Sequence, residues 1–144
     1  MFKILILLLI SFNLYASESW EKEVLKLLPE PLSKIAINKT TLKEVEKHFG
    51  KADLVEGKKY YWIRDGLKYA LQISISDKKA VTELNYTFTG DLPKIDSISS
   101  IKTTELKPFI NQGKASTRYF AIETKRTQLV VDPVSKTLYS VRVN

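Results

Sequence analysis

No cysteine occurs among the 144 residues, which excludes disulfide staples, a thiol nucleophile and a thiolate metal site. Histidine occurs once, at position 48. A nucleophile-histidine hydrolase needs its base within hydrogen-bond reach of the nucleophile, and His48 falls on the flank of a helix, one residue from its end. A charged imidazole there complements the helix dipole, which is a structural or surface role. GxSxG, HExxH, a phosphate-binding glycine loop and an EF-hand loop are all absent. No catalytic residue, metal or cofactor is therefore expected. Arginine is scarce as well: Arg64, Arg118, Arg126 and Arg142 are the only four among 23 basic residues, set against 16 acidic ones for a net charge of +7. Lysine is a hydrated point charge and a poor reader of planar groups, and no run of basic residues concentrates it. The excess allows weak contact with an anionic membrane surface, and nucleic acid is not an expected partner.

What is present begins with MFKILILLLISFNLYA. Lys3, the apolar run Ile4 to Ile10 and the small Ala16 have the order of a secretory signal peptide. The run is broken at Ser11 and Asn13, short of the roughly 20 residues that span a bilayer. The expectation is a leader over 1–16, cut after Ala16, and one exported domain over 17–144, in the bacterial periplasm or outside the cell. With no cysteine near the cut to carry a lipid, the mature chain is expected to be soluble.

Two helices are legible next. Trp20, Val24, Leu27 and Leu28 recur at helical spacing with Leu25 widening the stripe, Ser19 stands where a cap would, and Pro29 and Pro31 stop the run. Thr41 and Glu44 form a capping box ahead of Leu42, Val45 and Phe49, and Gly50 stands at the exit. From residue 58 the period falls to two. In GLKYALQISIS, Leu67, Tyr69, Leu71, Ile73 and Ile75 share one face and Lys68, Gln72 and Ser74 the other. Asp65-Gly66 and Asp77-Lys-Lys leave room only for hairpins. A strand over 80–89 then places Leu84, Tyr86 and Phe88 inward, with Glu83, Asn85 and Thr87 outward.

DLPKIDSISS reads as a linker, and the residues after it echo the first half. Ile37-Asn-Lys-Thr-Thr-Leu is matched by Ile101-Lys-Thr-Thr-Glu-Leu, Gly50 by Gly113, YYWI by RYFAI, LQIS by LVVD, and TELNYTF by TLYSVRV. The expected fold is α+β: one antiparallel sheet with helices on one face, a tandem duplication of an αβββ unit over about 37–89 and 101–144. Pro108 removes a backbone donor near the first turn of the second unit's helix.

TTLKEVEKHFGKAD followed by GKKYYWI resembles the opening of the SmpA/OmlA (BamE-like) outer-membrane lipoproteins and the wider group with the β-lactamase-inhibitor-protein-like fold. In that group a capped helix ends in a Leu-Gly-x-Pro turn and leads into an aromatic strand. Phe49-Gly50-Lys51-Ala52 stands at that turn here, so the glycine matches and the leucine and proline do not. The resemblance covers about 37–89, with an echo in 101–144. It implies a non-enzymatic envelope protein that binds another protein, as an assembly factor or an inhibitor, through the exposed sheet face. The absent lipid-attachment cysteine argues against the lipoprotein branch.

Two parities remain open for the aromatic strand. If Tyr61 and Ile63 point into the core, then Tyr60, Trp62 and Arg64 face outward with Lys68, Gln72, Glu83 and Asn85. Those seven residues would form a partner-binding surface, since aromatics and arginine anchor interfaces. The other parity buries Tyr60 and Trp62 and covers Tyr61 and Ile63 with loops. The expected function is non-catalytic binding of another protein, an envelope component or a secreted enzyme, by an open face centred on Trp62 and Arg64. The alternative is a small exported hydrolase of a cell-wall or sugar polymer, working through paired carboxylates drawn from Glu83, Glu123 and Asp132.

Overall fold

The computed structural model describes residues 19–63 and 69–144. The leader, Arg64, the Asp65-Gly66 turn, Leu67 and Lys68 lie outside the described residues. Helix α1 (Ser19–Leu27) includes Ser19 as its first described residue and buries Trp20 and Val24, four positions apart. Pro29 has no amide hydrogen with which to extend it, and a single turn, α2 (Glu30–Ser33), comes next with Pro31 in its first positions. Helix α3 (Leu42–Phe49) carries the expected capping box. The Thr41 N–H donates to Glu44 Oε2 at 2.7 Å, the Glu44 N–H donates to Thr41 Oγ1 at 3.4 Å, and Gly50 closes the helix at φ 74°.

Eight strands make up the rest: β1 (Leu54–Glu56), β2 (Lys59–Ile63), β3 (Tyr69–Ile75), β4 (Val81–Phe88), β5 (Lys107–Asn111), β6 (Lys114–Glu123), β7 (Thr127–Asp132) and β8 (Thr137–Val143). They form one antiparallel sheet in the order β1-β2-β3-β4-β8-β7-β6-β5. The architecture is α+β. One hydrophobic cluster joins Trp20, Val24, Leu32, Leu42 and Val45 of the helices to Leu71, Ile73, Leu84 and Tyr86 of the first four strands, and to Leu129, Val131, Leu138 and Val141 of the last four. Both edges are blunted against further pairing. β1 has only three residues, and β5 carries Pro108, which has no N–H to offer.

The strand order reads the same from either edge toward the β4–β8 seam, and the local geometry matches too. In the first half the Leu42 N–H donates to Lys79 O at 2.9 Å and the Val81 N–H to Thr40 O at 2.8 Å. In the second the Ile95 N–H donates to Lys136 O at 2.9 Å and the Leu138 N–H to Pro93 O at 2.8 Å. Lys79 and Lys136 both sit in the left-handed region, at φ 59° and 55°. Register slips fall at Ser74/Ile75 and at Val130/Val131, so Ile73 occupies the place of Leu129 and Leu84 that of Val141. In β3/β7 and β4/β8 this correspondence lies two residues from the echo noted in the sequence, and in β2/β6, where Tyr60 takes the place of Ile122, it lies further off. A slip of two keeps every side chain on its own face.

Other expectations are corrected. No α-helix comes after Ile101 among the described residues: a 3-10 turn (Thr103–Glu105) leads directly into β5. Pro108 cannot donate within a helix but fits an edge strand. The place of α3 is taken by the 3-10 turn Ile95–Ser97, inside the stretch read as a linker. Gly113 does not end a helix; it turns β5 into β6 at φ 76°, as Gly57 turns β1 into β2 at φ 60°. Strand β1 was not anticipated, and each half has four strands rather than three.

Helix α1 bridges the halves by two carboxylates. Glu21 is buried and accepts a 2.8 Å hydrogen bond from Thr127 Oγ1 at the start of β7. Glu23 accepts from Ser99 Oγ at 2.7 Å, from the Ser99 and Ser100 N–H groups at 3.2 Å each, and from Ser100 Oγ. The serine hydroxyls and amides favour the anion and hold the Glu23 carboxyl down from its ordinary 4.5 to about 2.

Candidate functional site: the open face of the sheet

The helices belong to the core on one face, so side chains of the opposite parity are not covered by them, although Val130 and Ala121 on that side are still buried. Cross-strand register places Leu54, Tyr61, Gln72, Asn85, Arg142, Gln128 and Glu123 in one row over seven strands. A parallel row runs Ile63, Ala70, Thr87, Ser140, Val130, Ala121 and Lys107.

Of the seven residues expected on this surface five are described, and three of these reach it. Gln72, Glu83 and Asn85 lie there half-buried, with Gln72 Nε2 donating to Glu83 Oε1 at 3.5 Å. Trp62 does not: it is 0% exposed, and its indole Nε1–H donates to Gly50 O at 2.9 Å. The carbonyl at the end of α3 thus satisfies the one polar atom of a ring that fills the core. Tyr60 shares that inward parity, half-buried, its ring centroid 6.5 Å from that of Trp62. Of the two parities left open, the strand takes the one that turns Tyr60 and Trp62 inward, so the face is not centred on Trp62, and Tyr61 and Ile63 take the open side. Ile63 is 65% exposed, and its N–H donates to Asp53 Oδ2 at 2.9 Å. Arg64 and Lys68 lie outside the described residues.

The residues that sequence reasoning missed lie in the second half. Strand β6 sets four residues, 116–119, opposite the single Phe109 between Pro108 and Ile110. Ser116 Oγ folds this bulge by accepting from the Arg118 and Tyr119 N–H groups at 3.2 and 2.9 Å. The bulge carries Tyr119 against Tyr139, with centroids 4.5 Å apart. The guanidinium of Arg118 lies 5.3 Å from the Tyr119 ring centre, and its Nε donates to Asp132 Oδ2 at 2.8 Å. That bond lowers the pKa of Asp132 and raises that of Arg118. Asp132 also accepts from the Val134 and Ser135 N–H groups at 3.0 and 3.2 Å, which fixes the turn into β8. The available signal was the spacing of RYF with VVD, two strands whose pairing brings positions 118 and 132 together. Phe109 forms a wall between two shallow concavities of this region. One, about 380 Å³, is lined by Lys107, Ala121, Glu123 and Gln128; the other, about 450 Å³, by Ala115, Ser116, Tyr119 and Tyr139.

At the centre of the face stands Arg142, flanked by Asn85 on β4 and Gln128 on β7. Its Nε is buried with no hydrogen-bond partner among the described residues. The Gln128 amide is already committed, donating to Glu123 Oε2 at 2.9 Å.

The acids do not converge. Glu83 on β4 and Glu123 on β6 are three strand spacings apart, roughly 14 Å, and Asp132 is held by Arg118. Among the described residues no group of three or more His, Asp or Glu side chains is placed to hold a metal ion. His48 is exposed at the end of α3. No helix among the described residues is long and apolar enough to cross a membrane.

Neither a protein-family model nor a curated protein matches the chain. Its fold is similar to the crystal structure of a DUF4309 family protein (YjgB) from Bacillus subtilis, with a TM-score of 0.57 and 16% sequence identity over 87% of this chain and 91% of that one. At that identity the likeness concerns the fold alone.

Proposed function

We propose that the chain is an exported, non-catalytic domain that binds another protein through the open face of its sheet. The observation that supports this best is the face itself: seven strands wide, uncovered by the helices, and furnished with Tyr61, Ile63, Tyr119, Tyr139 and Arg142. Aromatic rings and arginine are the side chains that most often carry binding energy at interfaces, and a flat polar sheet lacks the deep apolar pocket typical of small-molecule sites. The partner is an envelope component or a secreted enzyme. In the same reading the leader over 1–16 is removed on export and the chain works without a lipid anchor. The matching halves descend from one duplicated unit, and the whole belongs to the β-lactamase-inhibitor-protein-like architecture.

Photo-crosslinking tests the face directly. A photoreactive side chain at Thr87 or Ser140 is expected to give an adduct with one protein in the intact cell envelope, whereas the same group at Lys43 or Lys47 on α3 gives none. Adducts of equal yield from both sides, or from the helical side alone, would overturn the reading.

A further inference from the structure

We propose that Arg142 is the anchor of this surface and that it seats one carboxylate side chain from a partner segment in which that acid is flanked by basic or neutral residues. The inference rests on the open face being the binding surface. Arg142 occupies the middle of the row, with its Nε buried and without a hydrogen-bond partner among the described residues. A buried donor without an acceptor costs free energy, more so when it is charged, and a carboxylate satisfies a guanidinium by two parallel N–H···O bonds. Among the described residues no neighbouring oxygen accepts from this Nε: Gln72 and Gln128 pair with Glu83 and Glu123 through their amide groups, and Asp132 is taken by Arg118.

The flanking charges select the kind of anion. Glu83 lies on one side of Arg142 and Glu123 on the other, so the face presents negative, positive, negative along the sheet. A polyanion long enough to span the roughly 14 Å between them would meet both acids, and the double charge of a phosphate dianion is repelled by them more strongly than a single carboxylate is. A single carboxylate meets only the arginine, and cations beside it in the partner would meet the glutamates. An acidic side chain between lysines or neutral residues complements all three positions.

The test uses the naturally processed protein and reads Arg142 itself. Nitrogen-15 NMR follows the Nε–Hε cross-peaks of the four arginines, with Arg142 assigned by its loss in Arg142→Gln, during titration with acetate or inorganic phosphate at matched ionic strength. The expected result is a saturable displacement of the Arg142 peak by acetate, at a half-saturation at least about threefold below that for phosphate, while the peak of Arg118, already paired, stays in place. Glu83→Gln combined with Glu123→Gln should erase the preference for acetate. Displacement of all four peaks in parallel, no saturation, or tighter binding of phosphate would each overturn the proposal. Circular dichroism on the glutamine variants confirms that they fold. Failure here would leave the crosslinking result standing, so the two readings fail separately.

Discussion

Trp62 decides which side of the second strand is which. Tyr60, Tyr61, Trp62 and Ile63 are all bulky and apolar, so alternation alone cannot choose a parity. The choice comes from the Gly50 carbonyl, which only the fold brings to the indole. Trp62→Ala is expected to cost about 3–5 kcal/mol, the range for emptying a core site of this size. Ile63→Ala, one residue on, should stay within about 0.5 kcal/mol, as exposed positions do. Urea denaturation of both variants measures the contrast, and equal effects would mean that the strand is not oriented as described. Legibility in the sequence therefore stopped at a particular boundary. Strands β3 and β4 alternate apolar with polar residues, and Gln72, Glu83 and Asn85 could be placed outward from that pattern. Arg142 and Tyr139 could not be given a role, because their meaning depends on which strands lie beside β8.

Elements were legible where their signals are local and lost where they are not. Helix α3 carries its cap, stripe and terminal glycine within ten residues, and each was readable. The 3-10 turn Ile95–Ser97 has no such signature; only its hydrogen bonds to the β7–β8 turn mark it as the counterpart of α3. The attachment of α1 was equally invisible, since Glu23 and Ser100 are 77 positions apart. That attachment makes a pH-dependent contribution of defined sign. The folded state lowers the Glu23 pKa from 4.5 to about 2, so the contribution is complete above pH 4.5 and is lost as pH falls toward 2. Glu23→Gln should therefore lower the thermal midpoint at pH 6, and the gap to the parent protein should close on acidification across that window. A gap that stays constant down to pH 2 would show that the carboxylate charge plays no part.

At the scale of the molecule the two halves share one core and meet at the β4–β8 seam, while α1 reaches across to both Thr127 and the Ser99-Ser100 segment. Separate production of residues 17–90 and 91–144 should give fragments without cooperative thermal transitions. Each would expose a long interior strand, and the second would also lose the helices that cover Leu129 and Val131. A sharp transition in either fragment would contradict a shared core. The edges carry a different consequence. With β1 three residues long and β5 interrupted by Pro108, little main chain is left at the rim for another strand to zip onto. On the proposed reading a partner is left to read the upturned side chains alone, so recognition would be portable. If the face binds as proposed, exchanging those residues for the matching set of another protein of this architecture is expected to hand over its partner while every strand stays where it is.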